Sequence, residues 1–476
     1  MAEGTTLWWV RKELRLSDNP ALCKAATTNK LLPVFVLRQD WLEGEQYGIQ
    51  RFSAKRLKFL LEALTNLKRA LRERGSGLLF RVGDPAVILP EIAEQHNVSR
   101  VVATSEVADE EVRTEQQLKL ALPNTELALV SGNWLYEPAG WPFAKETVPK
   151  VFTQFRKALE KNATVAEPLP VPDELPPLPD TVSDEPLPAM EDLGFTPPKP
   201  DERAFIDFTG GETAGKARLS HYFWETRQLK RYKQTRNGLL GADYSSKFSP
   251  WLAWGCLSPR SVYQEVKQFE ETVTRNKSTY WLCFELIWRD FFRAVTWKAG
   301  PKLFYSTGIE GIQLSIHNPP GFFERWCQGQ TGVPFVDANM RELAATGYMS
   351  NRGRQNVASY LVKDLQVDWR WGAAWFEQHL LDYDPASNWG NWNYVAGVGN
   401  DPRKRRYFNI MSQASRYDKK CKYIRHWVPE IRPLEDFRAQ HPWTLYPKEQ
   451  QAIGLRLGTH YPEPLAVGKH WDRYYL

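Results

Sequence analysis

The chain has 476 residues, 42% apolar and 25% charged. That is the balance of an ordinary globular protein with room for two or three domains and a large core. Basic residues outnumber acidic ones 62 to 56, a net charge of +6, which permits an anionic partner without requiring one. The five cysteines (Cys23, Cys256, Cys283, Cys327, Cys421) include no C-x-x-C pair, which argues against a zinc site or a disulfide framework. With no basic-then-apolar leader and no run approaching 18 apolar residues, a soluble cytoplasmic protein is expected, with no metal.

Two short apolar runs, 5–10 and 31–37, flank Asn19-Pro20, which can open a helix. Strand, helix, strand is the start of a parallel sheet. The leucines of 55–74 fit a 3.6-residue period. Strand 78–82, helix 85–96, strand 100–103, helix 110–122 and strand 126–130 follow. This alternation predicts a doubly wound α/β domain. It contains neither G-x-G-x-x-G nor G-x-x-x-x-G-K-[ST], so no phosphate loop announces itself.

Eleven of the 33 prolines fall in 167–200, which predicts an extended connector. Beyond Asp201 the pattern is helical throughout, and 15 of the 20 tryptophans lie there. A helix is expected over 214–232. Ser245, Ser246 and Ser249 lie before a Pro-started helix at Pro250, where hydroxyls and free N–H groups suit an anionic oxygen as well as an ordinary cap. The apolar helix 280–297 carries Glu285 and Arg289 four residues apart, either as a simple ion pair or as groups facing a cavity. Helices are expected over 352–365 and 372–381, then an irregular loop. This last region carries Asn351, Arg354, Gln355, Asp382, Asp384 and Asn388 among five tryptophans. Polar groups on the inward side of apolar helices need partners, and a large polar ligand would supply them.

The stretches WWVRKELRLSDNPAL, GGETAGKARLSHYFWE, YKQTRNGLLGADYSSKFSPWLAWGCLSPR, FELIWRDFFR and MSNRGRQNVASYLVKDL…DYDPASNWGNWNYVAGVGNDP resemble photolyases and cryptochromes. The likeness runs over nearly the full length and is strongest to cryptochromes of the DASH type. It implies an α/β antenna domain (1–131), a Pro-rich connector (132–204) and an all-helical domain (205–476) holding one U-shaped FAD. Carried over by motif, Tyr232, Ser245, Ser246 and Ser249 would hold the phosphates and ribityl chain. Glu285, Arg289 and Asn351 would sit beside the cofactor. Arg354 and Asp382 would pair against the ring, with Asp384 nearby and Asn388 facing N5. An uncharged amide there does not oppose a reduced, anionic flavin as an aspartate would.

Trp392 would lie next to the flavin and Trp369 one hop further out. The outer tryptophan expected within 313–317 is missing, and Tyr305 or Trp326 could take its place. Trp288 would stack on a flipped pyrimidine dimer, with Glu285 bonded to it. Gln355 and Tyr394 stand where duplex-specific photolyases carry Met and Trp, and no histidine supports (6-4) repair. Lys404, Arg405, Arg406, Lys419, Lys420, Lys422 and Arg425 could line a DNA groove. A methenyltetrahydrofolate antenna would be contacted by a glutamate of EVADEE, Glu106 or Glu110. The expectation is a monomeric blue-light flavoprotein that repairs cyclobutane pyrimidine dimers, mainly in single-stranded DNA. The alternative is a photoreceptor or transcriptional regulator with little repair. The absence of a long C-terminal extension favours repair.

Overall fold

The computed structural model describes residues 2–403, 406–434 and 437–475. Its first half is built on β1 (Ala2–Val10), β2 (Thr28–Leu37), β5 (Leu79–Val82), β6 (Val98–Thr104) and β7 (Glu126–Val130), with a two-residue hairpin of β3 (Glu45–Gln46) and β4 (Ile49–Gln50). The five long strands form one parallel sheet in the order β5-β2-β1-β6-β7. Leu7 lies opposite Leu32 on one side and Val101 on the other. The helices are α1 (Pro20–Ala25), α2 (Gln39–Leu42), α3 (Ala54–Arg72), α4 (Pro85–Gln95) and α5 (Asp109–Ala121). Leu7, Val34 and Val101 pack with Leu89 of α4 and Leu118 of α5. Trp8, Leu31 and Phe35 pack with Leu22 of α1 and Leu60 of α3. Both faces are therefore covered, which is why β2 is a nearly continuous apolar run. The predicted α/β fold is present.

The second half is helical: α6 (Phe152–Asn162), α7 (Glu212–Ser220), α8 (Tyr232–Thr235), α9 (Ser249–Ala253), α10 (Pro259–Thr272), α11 (Lys277–Ala299), α12 (Phe322–Cys327), α13 (Pro334–Thr346), α14 (Asn351–Ser359), α15 (Trp369–His379) and α16 (Pro385–Ala396). No described helix is long and apolar enough to cross a membrane. The helices meet closely where glycine permits. A Cβ at Gly390 of α16 would strike Phe292 of α11, and one at Gly372 of α15 would strike Trp392 of α16.

Two expectations need correction. The helix expected over 214–232 is broken. Thr226 N–H donates back five residues to His221 O (2.9 Å), and Arg227 takes a left-handed φ of 53°, which no α-helix tolerates. Tyr232 therefore opens a separate turn, α8. The irregular loop expected after 381 is instead mostly α16. Asp384 caps it by accepting from Ser387 N–H (2.7 Å), and Pro385 occupies its first turn. Most of its residues are buried, so it has no polar face to betray its period. The connector also contains α6, whose Phe152, Phe155 and Leu159 are buried.

The carboxyl end of the sheet abuts the helices around α9. Leu14 N–H donates to Trp254 O (3.1 Å), Arg15 Nη1 to Gly255 O (2.8 Å), and Arg260 Nε to the buried Asp18 carboxylate (3.0 Å). Ligands of doubly wound sheets gather at this end.

Candidate functional site

A cavity of ≈ 580 Å³ lies among α8, α9, α11, α14, α15 and α16, within the roughly 300–1,000 Å³ range of small-molecule sites. Tyr232, Ser245, Ser246, Ser249, Glu285, Trp288, Arg289, Asn351, Arg354, Gln355, Asp382, Asp384, Asn388, Trp392, Tyr394 and Arg406 all line it. Residues spread over 175 positions of the chain are thus brought to one hollow.

Its serine end is a loop held from behind. Arg218 of α7 donates to Ala242 O (3.1 Å), Ser245 O (3.2 Å) and Ser246 O (3.0 Å) and pairs with Asp243 (2.8 Å). With its carbonyls tied back, the loop keeps its hydroxyls available to the cavity. Lys247 is buried here, its ammonium bonded to Gly241 O (3.0 Å). Burial lowers its pKa to about 8 although Glu342 opposes the change.

Deeper in, Arg354 makes a two-point ion pair with Asp382 (3.0 and 2.7 Å), and its Nε donates to Met349 O (2.9 Å). Burial would raise Asp384, but Lys12, Arg293 and Arg289 outweigh it and hold the carboxyl below its usual range. Asn388 uses Nδ2 on Ala373 O (2.9 Å), leaving Oδ1 as its acceptor toward the cavity. Trp392 is nearly sealed, with Phe376 at 5.2 Å and Trp326 at 6.3 Å between ring centroids. Trp369 does not line the cavity. It is fully buried against Trp389 (5.7 Å).

Glu285, Trp288, Gln355, Tyr394 and Arg406 are half-buried and make the rim, while Asn351 is exposed there. Glu285 does not pair with Arg289. Glu285 binds Arg236 (2.8 Å) and accepts from Trp281 Nε1 (3.0 Å), while Arg289 donates to Asn133 O. Burial still pushes Glu285 up despite Arg236. Tyr394 stands edge-on to Trp288 at 6.2 Å and accepts from Arg406 (3.0 Å). Lys419, Lys420 and Lys422 are exposed, whereas Arg425 is spent on Leu434 O and Lys420 O. Lys404 and Arg405 lie outside the described residues.

Arg218, Arg236, Lys247 and Arg352 escaped the sequence reading, because a cation in sequence looks like a solvated charge. Arg352 is held by Gln355 (2.9 Å) and Asn237 (3.0 Å) over Tyr417 and makes no ion pair among the described residues. Arg236 and Arg352 both line the cavity, and their buried Nε atoms have no hydrogen-bond partner among the described residues. The donor set fits FAD: hydroxyls and Lys247 for a diphosphate, and an ion pair with an amide for the edge of a ring.

A second cavity of ≈ 260 Å³ lies between the two halves, lined by Arg51, Arg56, Glu110, Glu111, Trp41, Glu377, Tyr383 and Trp389 among others. Arg51 bridges Glu110 (2.8 Å) and Glu377 (2.9 Å). Tyr383 lines both cavities. Glu106 does not line it; it is buried with Arg293 (3.3 Å) beside an adjoining hollow of ≈ 40 Å³ that shares Lys12, Trp41, Glu111 and Trp254 with this cavity.

Residues 6–174 match the family model described as DNA photolyase, and residues 281–473 match that of the FAD binding domain of DNA photolyase. A cryptochrome DASH from Gloeobacter violaceus is 48% identical over 98% of this chain and 93% of its own. The crystal structure of a Synechocystis cryptochrome superposes with a TM-score of 0.94 at 44% identity, over 98% of this chain and 97% of the other. A class III photolyase from Agrobacterium tumefaciens gives 0.85 at 29%, over 100% and 97%. The chain thus belongs to the photolyase/cryptochrome family, as an FAD-binding flavoprotein of the cryptochrome DASH type.

Proposed function

We propose that this flavoprotein repairs cyclobutane pyrimidine dimers in single-stranded DNA, acting as a cytoplasmic monomer. The reading rests on one observation: the deep groups Asn388, Arg354–Asp382 and Trp392 share a single cavity with the rim pair Trp288 and Tyr394. A lesion against the rim would be next to whatever the deep groups hold. When bound, FAD supplies the light absorption and the electron that opens the cyclobutane ring and returns.

The residues divide the remaining work. Ser245, Ser246, Ser249 and Lys247 bind phosphate oxygens, and Arg354 with Asp382 fixes the ring's orientation. Tyr232, Asn351 and Arg289 close the walls. Asn388 accepts a hydrogen bond through Oδ1 and adds no negative charge. Trp392 would load an electron, with Trp369, packed on Trp389 (5.7 Å), as the next donor. Trp288 stacks on the extruded dimer. Glu285, whose carboxyl burial raises against the opposing Arg236, bonds its edge. Arg236, Arg352 and Arg406 meet flanking phosphates.

Strand preference follows from magnitudes. Extruding a base from a duplex costs a few kcal/mol, and stacking on one aromatic returns about 1–3 kcal/mol per base. Besides Trp288 this rim offers a Trp281 already stacked on Phe284 (4.6 Å) and bonded to Glu285, a tyrosine tied to Arg406 and a polar Gln355, which leaves little surplus for a duplex. No histidine lines the cavity among the described residues, so no imidazole is at hand for (6-4) proton transfer. We assign the 260 Å³ cavity to a folate antenna, with Glu110 as its contact rather than Glu106.

The test is repair in light and in darkness on single- and double-stranded oligonucleotides carrying one dimer, with the chromophores extracted alongside. Light-dependent repair should be clear on single strands and weak on duplex. Equal rates would overturn the strand assignment. No repair on either would leave the photoreceptor reading.

A further inference from the structure

We propose that Phe152, from the connector helix α6, is the fixed backing layer of the platform on which a flipped dimer rests; the inference builds on the lesion reading above. Its ring lies parallel to that of Trp288, with centroids 3.7 Å apart and planes 9° apart. Phe152 is itself held edge-on by Phe284 (5.0 Å) and Phe291 (5.7 Å) of α11 and is 6% exposed.

An indole has two faces. Phe152 covers one; Phe292, one turn on, lies near-parallel at 5.6 Å and 29°, and the part of the indole left to the cavity is what a base can meet. Tyr394 stands perpendicular to the indole at 6.2 Å and limits its swing. A half-buried indole free to rotate would lose that freedom on binding, and one already clamped loses less. The clamp reaches beyond one contact. Phe155 packs on Phe291 (5.4 Å), and Arg156 donates to Tyr280 Oη (2.6 Å), which donates to Glu160 (2.7 Å). These contacts recur every three or four residues on both helices, so α6 is zipped along the outer side of α11. A segment of the connector thereby acts in recognition of the lesion.

The test uses the FAD-loaded protein and two fluorescent single-stranded oligothymidylates, one with a single cyclobutane dimer and one intact. Phe152→Leu keeps apolar volume and removes the planar face. Phe152→Met is a second variant of the same kind. Phe155→Leu is the control, because it loosens the same helix pair without touching Trp288. Both Phe152 variants should bind the dimer oligonucleotide roughly 3- to 10-fold more weakly and the intact strand equally well, with flavin content and spectrum unchanged. Phe155→Leu should leave dimer preference intact. In a Trp288→Leu background Phe152→Leu should have no further effect on dimer affinity. The inference is overturned if the Phe152 variants keep the wild-type preference, if damaged and intact strands weaken together, or if Phe155→Leu does the same. Wild-type protein that shows no preference for the dimer would instead refute the lesion reading itself.

Discussion

Asp382→Asn is the sharpest single test of the deep end of the cavity. The carboxylate side chain is 3% exposed and the Arg354 guanidinium 25%, joined by bonds of 3.0 and 2.7 Å. Asparagine keeps one acceptor and turns an N–H toward an N–H at the other. One charge-assisted bond is lost outright, about 1.5–3 kcal/mol, and the other weakens on losing its charge. The guanidinium end reaches the cavity, so solvent screens part of the loss. A net of about 2–3 kcal/mol remains, or roughly 30- to 150-fold in cofactor affinity at 1.4 kcal/mol per decade. Apoprotein titrated with FAD, followed by quenching of flavin fluorescence, measures it. Replacing Arg354 and Asp382 together by leucine should lose less than the two single changes summed, because no charge is left without a partner. An Asp382→Asn protein within threefold of wild type, or strict additivity in the double variant, would refute the assignment.

Asn388→Asp should shift the photoreduced flavin away from its two-electron anion. The new carboxyl would face Ala373 O, which now accepts from Asn388, so it should stay protonated at low pH. Spectra should accordingly change more at pH 8 than at pH 6, and identical photoreduction spectra at both would count against the N5 role. Trp392→Phe should slow photoreduction strongly, and an unaffected rate would mean that electrons enter elsewhere. Lys247 carries its charge below about pH 8 and loses it above, and bound phosphate would move that midpoint upward. FAD retention should therefore fall between pH 7 and 9, by no more than about tenfold per pH unit for one proton. Lys247→Met should bind FAD more weakly at pH 7 with no such dependence, and a parallel pH curve for the variant would remove Lys247 from the phosphate site.

Residues 5–130 could be read as an alternating parallel-sheet fold because each strand there is a short apolar run and each helix an amphipathic stripe. The amides, acids and serines of the cavity stood out because inward polar groups on apolar helices demand partners. α16 could not be found this way. A helix buried on nearly every side has no period to display, so the loop expected after 381 was an error of pattern, as was the long helix over 214–232 that Arg227 interrupts. The partner of Glu285 was equally hidden. Spacing put Arg289 four residues away on the same helix, yet Arg236, at the C-terminal end of α8, reaches the carboxylate, because closeness in a folded chain is set by packing between helices. So it is with Phe152, which in sequence is an apolar residue of a connector and in three dimensions lies flat on Trp288. Residue types and their order determined the elements and the chemistry available. Which side chains face one another was decided only when the helices packed.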